Sequence, residues 1–231
     1  MITTPSARES AKMAAARAAL GYIKEGMVIG LGTGSTTAFF IQFLIEKIQK
    51  TGLAVKAVAT SENSYKQAQG GKVPLVDVNR LVQLDMTVDG ADEIDGRKRM
   101  IKGGGGALMR EKIVASMSRE MIVIVDNDKL VEHLGKCRLP VEVLPFAHLA
   151  TLDKIRTLGF DASLRLTDKG NIYITDNGNY IADVAFENEC FPERDHALIS
   201  AIPGVLETGF FLNLAGRVFV GHPDGHVDLI Q

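Results

Sequence analysis

Cysteine is scarce in this chain, net charge is nearly absent, and long apolar runs are missing. Each absence removes a class of protein. The two cysteines among 231 residues, Cys137 and Cys190, stand far apart and outside any C-x-x-C pair, so neither a disulfide framework nor a zinc ribbon is expected. A formal net charge of −2 gives no general attraction to nucleic acid or to an anionic membrane, and binding must come from local sites. No stretch reaches the roughly 20 apolar residues of a membrane span. Met1–Ser10 carries Arg8 and Glu9 and is unlike a secretory signal, so a cytoplasmic protein is expected. His222 and His226 are four residues apart but enclose Pro223 and Gly225, which break the helix that would align them, and no metal site is expected there. Internal repeats and low-complexity linkers are also missing.

What remains is an ordinary soluble composition, 46% hydrophobic and 23% charged, in a length that suits one main domain with a smaller companion. An alanine-rich helix is expected over Ala11–Tyr22, followed by a buried strand at Met27–Gly32 and a helix at Thr36–Lys50. The alternation continues with strands at Val55–Thr60, Val73–Val78 and Asp85–Val88, helices at Ser64–Gln69 and Ala107–Arg119, and a strand at Met121–Val125. Short apolar strands alternating with helices predict an α/β fold, a doubly wound and mostly parallel sheet. After Pro140 the texture changes to a meander with helices, and Asn177-Gly178 between alternating segments predicts a tight hairpin turn. The division expected is 1–138 with 208–231 as the main domain, and 139–207 as a small α+β domain.

Four motifs could carry chemistry. "GLGTGSTT", Gly30–Thr37, joins a strand to a helix, where free N–H groups, the positive helix end and the hydroxyls of Ser35, Thr36 and Thr37 suit a phosphate. The Gly-Lys-Ser/Thr ending of a P-loop is absent, and a plain strand-to-helix turn with a hydroxyl cap explains the motif equally well. "DGADE", Asp89–Glu93, sets two carboxylates three residues apart beyond a strand, for sugar hydroxyls, Mg²⁺ or proton transfer; solvated helix caps are the bland alternative. "IKGGGGALMREK", Ile101–Lys112, places Lys102 before four glycines that open a helix, so an ammonium and free N–H groups converge as an oxyanion would require. Glu111 in that helix has Ala107, Leu108, Val114 and Ala115 at helical spacing, an apolar row in which desolvation makes a carboxylate a better base; a surface ion pair is the commoner fate of a helical glutamate. In "VDNDKL", Asp126 ends a strand and Lys129 is expected to begin a helix, though a lone lysine there, like Lys12 in the first helix, is usually solvated. Three of these motifs follow strand ends, where open α/β sheets bind ligands, and together they describe proton transfer beside a carbonyl on a small phosphorylated substrate.

"GLGTGST", "VDGADEID", "IKGGGGALMREK", "PVEVLP" and "TDNGN", in this order through nearly the whole chain, closely resemble the A-type ribose-5-phosphate isomerases. The resemblance implies reversible conversion of ribose 5-phosphate to ribulose 5-phosphate without metal or organic cofactor. It also implies a Rossmann-like domain, a ferredoxin-like second domain, and a homodimer or homotetramer. By motif, Thr33, Gly34, Ser35 and Thr36 would hold substrate with Lys12 near the phosphate. Asp89, Gly90, Ala91 and Asp92 form the family's acidic loop; Lys102, Gly103, Gly104 and Gly105 form its oxyanion side; Lys129 lies at the rim and Glu111 matches the catalytic base. The sequence departs at Gly106, where many relatives place alanine, a change expected to loosen the helix start. Two other functions were open to the residues alone. A nicotinamide-dependent oxidoreductase would need an acidic ribose contact after the second strand, where Glu62 stands. A sugar-phosphate sensor of a transcription regulator would need a DNA-binding segment, for which Met1–Gly26 has room for one helix.

Overall fold

The computed structural model describes residues 5–186 and 189–231. Expectations about the first four residues therefore lie outside what is described. In chain order the elements are α1 (Ala7–Leu20), β1 (Val28–Leu31), α2 (Ser35–Thr51), β2 (Lys56–Ala59), α3 (Glu62–Gly70), β3 (Met86–Asp89), β4 (Glu93–Asp95) and β5 (Met100–Ile101). Then follow α4 (Leu108–Ser116), β6 (Met121–Asp126), β7 (Leu130–Val131), β8 (Leu139–Val143), α5 (His148–Thr157), β9 (Asp161–Leu164) and β10 (Tyr180–Ala185). The chain closes with α6 (Pro192–Ser200), β11 (Val205–Thr208), β12 (Phe210–Phe211), β13 (Ala215–Gly221) and β14 (Val227–Ile230).

The residues group into two compact units: residues 1–91, 110–130 and 214–231 in the first, and 92–109 with 131–213 in the second. The main difference from the expected division is that the segment Asp92–Met109, which carries Lys102 and the glycines, groups with the second unit.

The first unit holds a six-stranded sheet in the order β14-β13-β6-β3-β1-β2. The five strands from β13 to β2 are parallel, and β14 adds an antiparallel edge through a hairpin with β13. Alternate strand residues face opposite ways. Ile29, Leu31, Met86, Val88, Ile122, Ile124 and Phe219 meet α1 and α2 residues such as Ala15, Ala19, Phe40 and Leu44, while Val58, Leu84 and Val114 of α4 form a separate cluster. Buried side chains of this size are each worth roughly 1.5–3 kcal/mol, and Phe40→Ala would cost about 3–5 kcal/mol.

Helix α1 starts earlier than its alanines suggest, because Ser6 and Glu9 form a capping box: Ser6 Oγ accepts from the Glu9 N–H and the Glu9 carboxylate accepts from the Ser6 N–H at 2.8 Å. Its small buried side chains bring it close to β13, and a Cβ on Gly221 would stand 1.9 Å from the Ala11 carbonyl oxygen. The strand expected at Val73–Val78 is a single bridge, Leu75 to Ala57, followed by a 3₁₀ turn at Val78–Arg80. Pro74 has no N–H to give a ladder.

The second unit contains a four-stranded antiparallel sheet, β11-β8-β10-β9. With α5 after β8 and α6 after β10, its order of elements is βαββαβ, the ferredoxin-like arrangement. "PVEVLP" and "TDNGN" meet here. One carboxylate oxygen of the fully buried Glu142 accepts from Thr175 Oγ1 (3.1 Å), Asn177 Nδ2 (3.1 Å) and Asn179 Nδ2 (2.8 Å), which pins the turn where Gly178 takes φ +79°. The segments beside that turn form isolated bridges, Leu166 to Ile172 and Ile174 to Tyr180, rather than a ladder. A separate small pairing in this unit runs β12-β5-β4. Both cysteines are free thiols, and burial pushes the Cys190 thiol up to about 12.

Candidate active site

In the first unit the parallel order reverses at β1: α2 carries the chain to β2 on one side, and β3 pairs on the other. A crevice between neighbouring strands at such a reversal is where open α/β sheets bind ligands. Thr33 follows β1 and Asp89 ends β3, and they meet there. The Thr33 N–H donates to Asp89 Oδ1 at 3.0 Å, the Gly90 N–H donates to the same oxygen at 2.8 Å, and Thr37 Oγ1 lies 3.5 Å away. Asp89 is fully buried. Gly32 makes room for it, since a Cβ there would stand 2.1 Å from the carboxyl group. This close approach explains a glycine whose chemical role the sequence left open.

The start of α2 is open and uncapped, a geometry that suits an anion. Gly34 precedes it at φ +121°, makes no side-chain cap, and has nothing within 4 Å of where a Cβ would be. The N–H groups of Ser35, Thr36 and Thr37 lie in the first turn, where no intrahelical carbonyl can accept them. Lys12 Nζ reaches in from α1 and donates to Ser35 Oγ at 2.8 Å. Thr33 Oγ1 is 2.8 Å from Thr60 Oγ1, which is itself tied to the Leu31 carbonyl, so the loop is held by β2 as well. Asp126, buried at the end of β6, has Arg8 Nε 3.5 Å away, an ion pair the sequence reading missed. Its signal was available: Arg8 is one helical turn before Lys12. Lys129 closes a 3₁₀ turn, Asn127–Lys129, instead of opening a helix, because β7 begins at the next residue.

Glu111 lies one turn into α4 and is 3% exposed, and the expected apolar row of Ala107, Leu108, Val114 and Ala115 is buried throughout. It is buried more completely than the half-desolvation expected from the pattern. Arg110 turns away to Glu62 at 3.3 Å. That ion pair engages the acidic residue a dinucleotide ribose would have needed.

In the second unit, Asp92 Oδ2 accepts from the Gly104 N–H at 2.7 Å, and a Cβ on Gly104 would stand 2.8 Å from the other carboxylate oxygen. Asp92 is partly exposed. Lys102 is 2% exposed; its N–H donates to the Gly209 carbonyl at 2.8 Å and its ammonium lies 5.3 Å from the centre of the Phe211 ring. The glycine run is a turn, with Gly103 at φ +102°, Gly106 at φ +77° and the Gly106 N–H on the Gly103 carbonyl at 2.9 Å. Gly106 does not simply loosen the helix start. A Cβ there would stand 2.4 Å from the Tyr173 hydroxyl oxygen, so both the backbone angle and the packing call for glycine. Among the described residues, no group of three or more His, Cys, Asp or Glu could hold a metal ion. His222 and His226 do come together, on the β13–β14 hairpin rather than a helix, where Asp228 accepts from Nε2 of each.

A helix start suited to phosphate, carboxylates at adjoining strand ends and a buried glutamate define an α/β protein equipped for acid–base chemistry on a small anionic substrate. Residues 56–225 match the family described as Ribose 5-phosphate isomerase A (phosphoriboisomerase A). The chain is similar to the ribose-5-phosphate isomerase A of Protochlamydia amoebophila, with 46% identity over 99% of this chain and 98% of that one, and to that of Bacillus mycoides, with 44% identity over 93% and 96%. Two solved structures superpose closely. Ribose 5-phosphate isomerase A from Methanocaldococcus jannaschii has a TM-score of 0.91 and 40% identity over 96% of this chain and 99% of that one. A D-ribose-5-phosphate isomerase in complex with phospho-erythronic acid has a TM-score of 0.92 and 38% identity over 97% and 99%. The chain belongs to the ribose 5-phosphate isomerase A family.

Proposed function

We infer that this protein interconverts D-ribose 5-phosphate and D-ribulose 5-phosphate by proton transfer between C1 and C2, as a step of pentose phosphate metabolism. Membership of the family supports the reaction, and the observation that carries it here is the union of Thr33, Asp89 and the open start of α2 at the sheet's reversal point. The phosphate end is assigned to Lys12, Thr33, Gly34, Ser35 and Thr36, with Lys129 at the rim. Asp89 and Asp92, with Gly90 and Ala91 between them, act at the sugar oxygens: a carboxylate takes the O1 proton and gives it to the ring oxygen as the ring opens, then carries the O2 proton to O1 as the ketone forms. Glu111 takes the C2 hydrogen as a proton, leaving a negative charge shared between C1, C2 and their oxygens. Lys102 and the glycine turn of Gly103, Gly104 and Gly105, whose Gly104 N–H holds Asp92, stabilise that enediolate, and Glu111 delivers the same proton to C1. Every proton removed is returned, so the reaction needs no net oxidant or acid.

The same reading makes the protein cytoplasmic and a homodimer or homotetramer. No helix among the described residues is long and apolar enough to cross a membrane. The exposed Phe146 and Leu149 support a self-associating face in the second unit. The test is formation of ribulose 5-phosphate from ribose 5-phosphate, run with and without EDTA, alongside sedimentation for the assembly. Turnover insensitive to EDTA is expected. No turnover overturns the isomerase reading, and turnover lost with EDTA and restored by Mg²⁺ overturns the assignment of the carboxylates to metal-free chemistry. Competitive inhibition by phospho-erythronic acid, a phosphorylated four-carbon acid one carbon shorter than the substrate whose carboxylate carries a shared negative charge as the enediolate does, is also expected.

A further inference from the structure

The glycine turn is gripped from behind. Arg165, just past the end of β9, donates from Nη1 to the carbonyls of both Gly103 (3.0 Å) and Gly104 (2.9 Å). Its other nitrogens are taken by Asp183 of β10, Nε to Oδ2 at 2.8 Å and Nη2 to Oδ1 at 2.5 Å, a bidentate pair that fixes the guanidinium plane. Both side chains are largely buried, 16% and 18% exposed. The Tyr173 hydroxyl donates to the next carbonyl, Gly105, at 3.2 Å and packs against Gly106 so closely that no Cβ fits. Three successive carbonyls are therefore held by two side chains on one side.

The consequence follows from the planarity of the peptide. In a trans peptide the carbonyl and the following N–H point in opposite directions. Holding the Gly103 carbonyl aims the Gly104 N–H away from Arg165, and it lands on Asp92 Oδ2. Holding the Gly104 carbonyl aims the Gly105 N–H away in the same manner, and Gly105 is exposed. Glycines have no side chains to set these planes, and an isolated run of four would sample many of them. The cation at the carbonyl end also polarises both peptides, which strengthens their N–H groups as donors.

Resting on the isomerase reading, we propose that Arg165, oriented by Asp183, and Tyr173 are positioning residues for the oxyanion side: they fix the peptide planes of the glycine turn so that the Gly104 and Gly105 N–H groups face Asp92 and the developing enediolate. They touch neither the substrate nor the proton in flight.

The test combines kinetics on ribose 5-phosphate with amide hydrogen exchange over residues 103–106, read by mass spectrometry on the intact protein. In Arg165→Met kcat falls by about tenfold to a hundredfold, the range expected when a reacting group is displaced by about 1 Å, while KM stays within about threefold. The deuterium effect for substrate labelled at C2 grows, and exchange in the glycine turn accelerates. Arg165→Lys, with one point charge for four acceptor oxygens, falls between Met and wild type; Tyr173→Phe, which loses one hydroxyl, shows the smaller form of the same pattern. A rise in KM alone, or kcat within twofold of wild type, overturns the proposal. If Arg165→Met fails to fold, Tyr173→Phe and Asp183→Asn decide it by the same criteria. If the wild-type protein does not isomerise ribose 5-phosphate, the isomerase reading has failed on its own. The exchange arm still judges the positioning: unchanged exchange over 103–106 in Arg165→Met sinks it.

Discussion

Asp89 and Asp92 stand three residues apart in one acidic segment, yet the two units give them opposite settings. Asp89 belongs to the first unit, is fully buried, and has the N–H groups of Thr33 and Gly90 on a single oxygen with Thr37 Oγ1 nearby. Asp92 belongs to the second, is partly exposed, and accepts the Gly104 N–H on one carboxylate oxygen. Each rests on a glycine, but the fit differs: a Cβ on Gly32 would stand 2.1 Å from the Asp89 carboxyl group and 2.5 Å from its Cβ, whereas one on Gly104 would meet the Asp92 carboxyl group alone, at 2.8 Å. A carboxylate locked at a strand end can orient a substrate but cannot follow a proton. A carboxylate on a turn can adjust as the ring opens. Within the proposed scheme, this contrast favours orientation for Asp89 and proton shuttling at the sugar oxygens for Asp92, a division the sequence left undecided.

The strongest way to break this scheme is to ask whether either aspartate is instead the carbon base. Glu111→Gln keeps shape and hydrogen bonding but cannot accept the C2 proton, so kcat is expected to fall by at least about 10²–10⁴-fold with phospho-erythronic acid binding largely retained. Near-normal turnover in Glu111→Gln, with Asp89→Asn or Asp92→Asn dead and binding intact, would move the base into the acidic segment. Single-turnover mixing separates the chemical step from product release.

The two supporting glycines sharpen the comparison next. Gly32→Ala drives a methyl into the Asp89 carboxyl group, where the sheet gives no room to yield, and is expected to destabilise the fold by about 1–3 kcal/mol and remove most activity. Gly104→Ala meets a side-chain end that can swing, so it is expected to leave the melting temperature almost unchanged while lowering kcat. Equal losses of stability at the two positions would show that Asp92 is held as rigidly as Asp89.

A third variant probes the phosphate end. Thr36→Val removes a hydroxyl from the first turn of α2, and a lost hydrogen bond to a charged group, about 1.5–3 kcal/mol, corresponds to a KM roughly 10- to 100-fold higher with kcat little changed. A comparable loss with unphosphorylated ribose would remove the phosphate assignment.

Periodicity made the parallel strands and their helices legible, because β1, β3 and β6 are buried on both faces and read as short apolar runs. The strand-end addresses of Thr33 and Asp89 were legible for the same reason. What was not legible depends on pairs distant in sequence. That Gly32 exists for Asp89, 57 positions later, or that Arg165 and Tyr173 hold carbonyls about 60 positions earlier, appears in no local pattern. Nor does the excursion of Asp92–Met109 into the second unit, since its short strands β4 and β5 have too few residues to show a period. The start of α1 is different: Ser6-Ala7-Arg8-Glu9 is a local capping signal, legible in the sequence, that the longer alanine run after it overshadows.

That capping box supplies the smallest effect and a control on the first unit. Ser6→Ala removes the acceptor for the Glu9 N–H and is expected to lower stability by about 1 kcal/mol, with kcat unchanged because Lys12 lies more than a turn further on. The hydrogen bonds from the Ser6 backbone and hydroxyl hold the Glu9 carboxyl below its usual range. A depressed folded-state value means that this contribution is complete above the unfolded carboxylate's pKa, near 4.3, and fades as the pH falls through the folded one. The gap in melting temperature between wild type and Ser6→Ala should therefore be constant from pH 8 to about pH 5 and narrow towards pH 3. A gap that widens on acidification would mean that Ser6 stabilises α1 by some route other than its exchange with Glu9. A large rise in KM for ribose 5-phosphate at neutral pH would mean that the first turn of α1, and not Lys12 alone, sets the position of the ammonium at Ser35.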